Sequence, residues 1–153
     1  VTKPIGLVLG LNNLADIFKE DYYANLEGGI LEAFGKLFKD NVKIYAYPIE
    51  LKNFQRYREQ MKLGDKFETA TDEEGLVTID NLLVARNLRN LYKYIRENNF
   101  LENINNCDRG NMSLFSRDVF KLVVSRSDGW KKSLPECVCD LIEQNNLWRE
   151  HSN

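Results

Sequence analysis

Apolar residues recur at helical spacing over most of this 153-residue chain. In the most regular segment, residues 84–97, one face of the predicted helix carries Val84, Leu88, Leu91, Tyr92 and Ile95. Intervals of three and four residues place side chains on one side of an α-helix, whereas strands alternate at every second residue. The pattern therefore predicts a mainly helical protein whose helices each bury one face.

The same spacing predicts further helices at residues 25–38, 51–64, 113–124 and 133–145, and residues 14–18 also have helical character. The segment 113–124 carries apolar residues on nearly all sides, which is typical of a central, buried helix.

The predicted helix ends depend on capping residues. Ser133 and Glu136 have the spacing of a capping box, which predicts the start of the last helix. Asparagines follow three of the helices, at Asn41, Asn98-Asn99 and Asn145-Asn146. Because asparagine tolerates the left-handed conformation that ends a helix, we expect these residues to act as caps.

Three short segments have strand character. Val42–Tyr47 alternates apolar and polar residues, residues 5–11 form a short apolar run, and residues 76–79 are rich in β-formers. We expect the segment 76–79 to pair with Val42–Tyr47. The predicted fold class is therefore α+β: a mostly helical single domain with a small sheet of two or three short strands.

Composition excludes several classes of protein. An apolar content of 43% is enough for a core and excludes wholesale disorder. No apolar run reaches the roughly 18 residues that a membrane span needs, so we expect no membrane association through a span. A net charge of -2 argues against a general binder of nucleic acid, which would carry a clear excess of Lys and Arg.

Cysteine usage and length bound the compartment and the domain count. The three cysteines cannot all pair within one chain, which indicates free thiols in a reducing compartment. With no secretory signal, we expect a cytoplasmic protein. The length fits one domain over residues 1–153, which leaves open that the chain is a fragment or a C-terminal module of a longer protein. The oligomeric state stays open.

The sequence offers little acid–base chemistry. Its one histidine, His151, is third from the end and is a poor catalytic candidate, since chain ends fray. The sequence lacks a phosphate-binding glycine loop and the ligand spacing of a zinc site. We therefore predict no cofactor and no catalytic residue, and we favour a non-enzymatic role.

A basic stripe is the first candidate surface. It consists of Arg86, Arg89, Lys93 and Arg96, whose spacing places them within about 80° on one helical face. Such a face is able to bind a protein partner or an adjacent domain, or it is simply solvated. Trp148, near the end of the chain, is either a second partner anchor or a lid on the core. Weak binding of nucleic acid through the stripe is a third functional alternative.

Two glycines form the second candidate site. Gly28 and Gly29 lie within or just before a predicted helix, where each would cost about 1 kcal/mol in a helix interior. If the helix starts there, its exposed N–H groups are able to bind an anion. If it starts earlier, the glycines allow another element to pack closely, and the nearby Glu27 favours this alternative.

An acidic loop is the third candidate site. Asp72, Glu73 and Glu74 are able to bind a divalent cation, or one of them to act as a base, although adjacent carboxylates in a polar loop are usually solvated. With Tyr45 or Tyr47 in a pocket, this loop would serve a small-ligand or nucleotide-binding domain, or a carboxylate-based enzyme.

Several stretches resemble the C-terminal region of bacterial nicotinate- or nicotinamide-nucleotide adenylyltransferase-like proteins. These stretches are residues 26–38, 42–48 and 114–120, together with Trp130, Leu134-Pro135 and residues 146–148. No residue here matches the His-x-x-His-type phosphate site of that family. The resemblance therefore implies a module appended to a nucleotide-metabolising enzyme. Our leading hypothesis is a protein-interaction or regulatory module.

Overall fold

A computed structural model of the protein describes residues 3–60, 70–127 and 129–148. The chain divides into two compact units, residues 1–112 and 113–153. The predicted fold class is confirmed, since helices predominate and the strands form small sheets. The single-domain organisation stays a prediction. His151 and the predicted end of the third helix, near Gly64, lie outside the described residues.

The first unit alternates strands with helices. Its elements are β1 (Ile5–Gly10), α1 (Leu11–Ile17), α2 (Gly29–Lys39), β2 (Val42–Tyr47), β3 (Ile49–Glu50), α3 (Leu51–Gln60), β4 (Leu76–Val77), α4 (Arg89–Glu97) and β5 (Leu101–Asn103). Short 3-10 helices lie at Glu20–Tyr23, Arg86–Leu88 and Arg109–Asn111.

Three strands form a parallel sheet in the order β1-β2-β5. Ile5 lies opposite Val42, and Ile44 lies opposite Leu101. Parallel neighbours need crossover connections, and helices supply them here: α1 and α2 lie between β1 and β2 in the chain, and α3 and α4 lie between β2 and β5. All three strands therefore end at the same edge of the sheet.

The predicted pairing of residues 76–79 with β2 is wrong. Leu76 and Val77 instead pair with Glu50 and Ile49 in a separate antiparallel sheet. The physical reason is that both edges of β2 are occupied, one by β1 and the other by β5. β5 has only three residues and shows no alternation that would predict a strand.

Two predicted boundaries shift for backbone reasons. The helix expected at 25–38 begins at Gly29, whose φ of 57° lies in the left-handed region. The helix expected at 84–97 begins at Arg89, after the 3-10 turn Arg86–Leu88. Leu11 belongs to α1 rather than to β1, which lies at a sheet edge and is mostly exposed.

An aromatic cluster joins three helical segments in the first unit. The ring of Phe18, just after α1, lies 5.1 Å from that of Phe34 on α2 and 5.2 Å from that of Tyr92 on α4. Beneath it, Leu14 and Ile44 are almost fully buried. This burial follows the apolar helical faces that the sequence predicts, and it stabilises the helices against the sheet.

The second unit contains α5 (Ser116–Val124), a 3-10 turn (Trp130–Ser133) and α6 (Glu136–Gln144). Its core consists of Val119, Val123, Trp130, Cys139 and Ile142.

Two predictions fail in the second unit. The helix expected at 113–124 is not buried on all sides, since the side chain of Phe120 is 45% exposed. The expected capping box is absent, because Pro135 is the N-cap of α6 and no side chain caps it. Ser133 ends the preceding 3-10 turn instead.

The asparagine caps are confirmed. Asn41, Asn99 and Asn146 have φ values of 59°, 57° and 47°. After α4, the N–H of Phe100 donates to the Ile95 carbonyl at 3.0 Å; after α6, Leu147 makes the equivalent bond to Ile142 at 3.1 Å. These are six-to-one bonds, which satisfy carbonyls that the helix end would leave unpaired.

Two further expectations concern free thiols and membrane-spanning helices. Cys107, Cys137 and Cys139 are free thiols. Within the described ranges, every helix falls short of the length and apolar content that a membrane crossing requires.

Candidate functional site

A pocket of about 580 Å³ lies where β2 and β5 end. Pro48 directly follows β2, Asn103 ends β5, and both line the pocket. In open parallel sheets, ligands bind outside the carboxyl ends of the strands, at the point where the strand order reverses. This pocket lies at the carboxyl edge, although the order β1-β2-β5 has no reversal. The volume lies within the range of roughly 300–1,000 Å³ that is usual for small-molecule sites.

Asp80 and Asn103 form one wall of the pocket. The Asn103 side chain donates to Asp80 Oδ2 at 2.6 Å and accepts the Ile79 N–H at 3.1 Å. The other oxygen of Asp80 pairs with the guanidinium of Arg96 on α4. Because both its carboxylate oxygens are held, Asp80 has a fixed orientation.

Asn81 extends this wall. Its side chain accepts the Thr78 N–H at 2.8 Å and donates to the Leu76 carbonyl at 3.0 Å. The Asn81 side chain thus makes hydrogen bonds to the backbone where β4 ends. These bonds stabilise the turn that contains Asp80.

The acidic loop also lines the pocket. One oxygen of Asp72 accepts the N–H groups of Glu74 and Leu76, at 3.0 and 2.8 Å. These bonds close a turn around Gly75, whose φ of 76° favours glycine. The second oxygen of Asp72 has no hydrogen-bond partner within the described part of the chain.

Residues after β5 complete the rim. Arg109 pairs with Glu74, which links the loop after β5 to the acidic loop. Asn105 and Asn106 are exposed lining residues, and their side chains have no hydrogen-bond partner among the described residues. Their amide groups are therefore available to a ligand as both donors and acceptors.

Cys107 is the thiol of the pocket. Its Sγ lies 3.4 Å from the Ile104 carbonyl oxygen, and the residue is half-buried. Burial raises the pKa of this thiol. Cys107 is therefore held as a neutral thiol near pH 7, which is the opposite of what an activated nucleophile requires.

The basic stripe divides into two parts. Arg96 is half-buried and points its guanidinium toward Asp80, so it supports the pocket wall. Lys93 Nζ lies 3.7 Å from Glu97 Oε1, and both side chains of this ion pair are exposed. Arg86 and Arg89 are exposed, and within the described ranges no carboxylate pairs with either of them. The surface available to a partner is therefore Arg86, Arg89 and Lys93.

Gly28 and Gly29 have different structural reasons: a Cβ on Gly28 would lie 2.8 Å from the Cβ of Glu32, whereas Gly29 has a positive φ. The carboxylate of Glu32 accepts the Gly28 N–H at 3.0 Å, which is where an anion would bind. Lys36 and this N–H both lower the pKa of Glu32, so the carboxylate stays charged. A Cβ on Gly29 would meet nothing within 4 Å, so close packing does not explain that glycine; its positive φ does. Anion binding here stays a prediction that must compete with Glu32.

The acidic residues and tyrosines have separate places. Asp72 and Glu74 line the pocket, and Glu73 is exposed beside them. Among the described residues, no group of three His, Cys, Asp or Glu side chains is placed to hold a metal ion. Tyr45 packs beside Gly6, and the Tyr47 hydroxyl lies over Gly10, so neither lines this pocket.

The two tryptophans of the second unit differ. Trp130 is a buried core residue, whereas Trp148 is 51% exposed. The Trp148 ring meets Phe120 edge-to-face at 5.6 Å. Both tryptophans line a pocket of about 320 Å³ in this unit. Trp148 therefore keeps the geometry of a candidate anchor.

The sequence analysis missed most of the pocket. It pointed to Asp72 and Glu74, but not to Asp80, Asn103 or Arg109. The available signal was the run Asn103-Ile104-Asn105-Asn106-Cys107, a polar segment after a buried apolar residue. This run indicates a pocket only once Leu101 is known to lie in a strand.

Comparison of this chain with protein-family models, curated proteins and solved structures finds no match.

Proposed function

We propose that the first unit binds a small polar molecule in the pocket where β2 and β5 end. The observation that carries this proposal is the position of the pocket at the shared carboxyl edge of a parallel sheet. This is the second of the functions considered from the sequence, and it uses Asp72 and Glu74 of the acidic loop.

The internal bonding of the pocket supports the proposal. Asp80, Asn81 and Asn103 are held by bonds to one another's segments, while Asn105 and Asn106 keep free hydrogen-bonding groups. A site with a fixed wall and available groups at its rim loses little entropy when a ligand binds.

Blocking the pocket tests the proposal. Asn105→Trp places a large ring at the rim without removing a hydrogen bond seen in the described residues. Asn90→Trp makes the same change on the exposed surface of α4 and is the matched control. The protein is screened by thermal shift against sugars, nucleosides, amino acids, amines and nucleotides. A ligand at 100 times its Kd adds about 2.7 kcal/mol, which raises Tm by several degrees.

The expected result is a stabilising compound whose effect persists in Asn90→Trp and is lost in Asn105→Trp. The proposal fails if no compound class stabilises the protein, or if a stabilising compound acts equally on both variants.

A second candidate function is the binding of an acidic protein segment by Arg86, Arg89 and Lys93. The observation that favours it is that Arg86 and Arg89 are exposed without a carboxylate partner among the described residues. Exposed cations without a carboxylate partner attract a segment rich in Asp and Glu. This candidate retains the protein-interaction role that the sequence analysis ranked first.

Charge reversal tests the second candidate. In a pull-down with an acidic peptide, the double variant Arg89→Glu/Lys93→Glu is compared with Lys39→Glu, an exposed lysine on α2. We expect the double variant to lose binding and the control to retain it. Equal retention by both would remove this face from consideration, and retention of RNA by the wild type at low salt would favour nucleic acid instead.

The resemblance to adenylyltransferase-like proteins leads to a coarser proposal. A module appended to a nucleotide-metabolising enzyme would act in the cytoplasm, and three free thiols support that location. The full reading frame of the gene tests this proposal directly: a nucleotidyltransferase domain before Val1 is expected, and an unrelated domain there would contradict it.

A further inference from the structure

We propose that the outer edge of β1 pairs with the same strand of a second copy of this chain. The two strands would run antiparallel across a two-fold axis at Leu7 and join two three-stranded sheets into one sheet of six strands. β1 contributes no residue to the pocket, so this inference goes beyond the proposed function and does not depend on it.

The backbone of β1 leaves this edge of the sheet unpaired. The Ile5 N–H donates to the Asn41 carbonyl at 3.1 Å, which directs the backbone groups of Ile5 toward the β2 side. N–H and C=O groups alternate in direction along a strand, so those of Gly6 and Val8 point away from the sheet. No hydrogen bond joins them to another described residue at that edge. Such unpaired groups are a template for pairing with another chain.

β1 lacks the features that usually protect an edge strand. Protected edges are very short, carry charged residues or proline, or are bent by a bulge. Residues 5–10 contain neither charge nor proline, and they pair with β2 residue by residue from Ile5 to Gly10, without a bulge. The opposite edge of the sheet, β5, has three residues, of which Glu102 is charged. The unprotected edge of this sheet is therefore β1.

A buried row of side chains continues to this edge and becomes exposed there. Leu101, Ile44 and Leu7 lie side by side on β5, β2 and β1, and 2%, 1% and 39% of their surfaces are exposed. Ile5 lies on the same face and is 54% exposed. Covering these side chains with a further strand would stabilise the protein, provided that the strand is itself apolar.

A second copy of β1 supplies such a strand in a matching register. With Leu7 of both copies on the two-fold axis, Gly6 lies opposite Val8 of the second copy, and these two residues exchange their outward N–H and C=O groups. Ile5 then lies opposite Leu9, so apolar side chains face each other and no like charges meet. The same surface is used by both copies, and the contact therefore closes as a dimer.

Sedimentation velocity of the intact chain measures this association. Six residues per copy is fewer than the roughly 20–30 that each side of a standard interface contributes, so we expect a dimer that dissociates on dilution. Leu83→Lys is the control for a charge at position 7, because Leu83 is also 39% exposed and lies outside β1. This control should associate as the unchanged chain does.

Two variants at the two-fold axis separate pairing from folding. Leu7→Lys and Leu7→Glu each place like charges opposite each other, so each variant alone should associate more weakly than the unchanged chain. An equimolar mixture places opposite charges there, and we expect it to associate about tenfold more tightly than either variant alone. Misfolding of the variants could not produce this recovery.

Disulfide cross-linking tests the register. Opposite residues that do not exchange hydrogen bonds have Cα atoms about 4.5 Å apart, within the range of a disulfide. Under mild oxidation, Leu7→Cys should therefore form a covalent dimer. Val8→Cys should not exceed the background of the unchanged chain, although Val8 is 60% exposed, because its counterpart lies two residues further along the strand.

Four outcomes would overturn the proposal. The first is an unchanged chain that stays monomeric up to about 1 mM; NMR shifts at Gly6 and Val8 with an unrelated apolar peptide would then assign the edge to another partner. The second is a dimer that Leu7→Lys and Leu83→Lys weaken equally. The third is a mixture of the two charged variants that associates no more tightly than either alone. The fourth is cross-linking of Val8→Cys as efficient as that of Leu7→Cys.

Discussion

The hydroxyl of Tyr92 donates a hydrogen bond of 2.7 Å to the backbone carbonyl of Ile79. Tyr92 lies on the buried face of α4, and Ile79 directly precedes Asp80. Burial raises the pKa of Tyr92, so the hydroxyl remains a donor throughout the range in which the protein is handled. Together with the Arg96–Asp80 pair, this bond fixes one wall of the pocket to α4.

The variant Tyr92→Phe is therefore expected to lower the free energy of unfolding by about 1–3 kcal/mol, because the buried Ile79 carbonyl loses a partner that water cannot replace. Urea denaturation measures the loss. Tyr94→Phe is the matched control, since the Tyr94 side chain is 58% exposed and its hydroxyl is hydrated in both states. A loss of the same size in both variants would mean that the Tyr92 bond contributes nothing specific.

Replacing Gly29 or Gly35 of α2 with alanine is expected to change the stability of the protein in opposite directions. Gly29 has a φ of 57°, whereas Gly35 lies inside the helix, and a Cβ added at either position would meet nothing within 4 Å. We expect Gly29→Ala to cost about 1 kcal/mol through backbone strain and Gly35→Ala to gain about 0.5–1 kcal/mol. Thermal unfolding of both variants measures the difference, and effects of the same sign would contradict the assigned start of α2.

A second set of substitutions tests the positive φ of Asn99, which follows the C-terminal end of α4. Its φ of 57° is tolerated by Asn and preferred by Gly, whereas a Cβ without a polar group is strained there. We expect Asn99→Ala to destabilise the protein by about 1 kcal/mol and Asn99→Gly to be near neutral. Asn90→Ala, within the same helix, should be stabilising because alanine has the higher helix propensity. Equal stability of Asn99→Ala and Asn99→Gly would rule out a conformational role for the cap.

The helices and their caps were predictable because both are local properties. Apolar spacing placed Leu88, Tyr92 and Ile95 on a buried face, and all three are buried. The asparagine caps depend on one residue's tolerance of positive φ and on hydrogen bonds within six residues, so the sequence near Asn99 and Asn146 contains the necessary information.

The sheet was only partly predictable, since pairing is not local. β1 and β2 were expected from their composition, but β5 joins β2 through only three residues, at Ile44, Tyr45 and Ala46. A strand this short has no measurable alternation, and its identity depends on the free edge of β2. The error at residues 76–79 has the same origin, because the sequence does not show that β1 and β5 occupy both edges of β2.

The pocket was the least predictable part because it depends on that pairing. Once Asn103 is known to end a strand beside β2, the following residues belong at the carboxyl edge. Arg96 shows the same limit. Its spacing assigned it to a surface stripe, and only the folded position of Asp80 turns it toward the pocket.

Cys107 should react slowly with alkylating reagents in the folded protein. The thiolate is the reactive form, and burial raises the pKa of this thiol, so less thiolate is present at any given pH than in the unfolded chain. The rate of alkylation by iodoacetamide should therefore rise at a higher pH in the native protein than in urea. Peptide mass spectrometry resolves the rate at Cys107 from those at Cys137 and Cys139. The same pKa shift affects the free energy of unfolding. The contribution of Cys107 is fully present below the pKa of the thiol in the unfolded chain, and it is lost as the pH rises from that pKa through the higher pKa of the folded protein. A native rate that matches or exceeds the rate in urea near neutral pH would show an activated thiol, and it would make Cys107 a candidate nucleophile of the pocket.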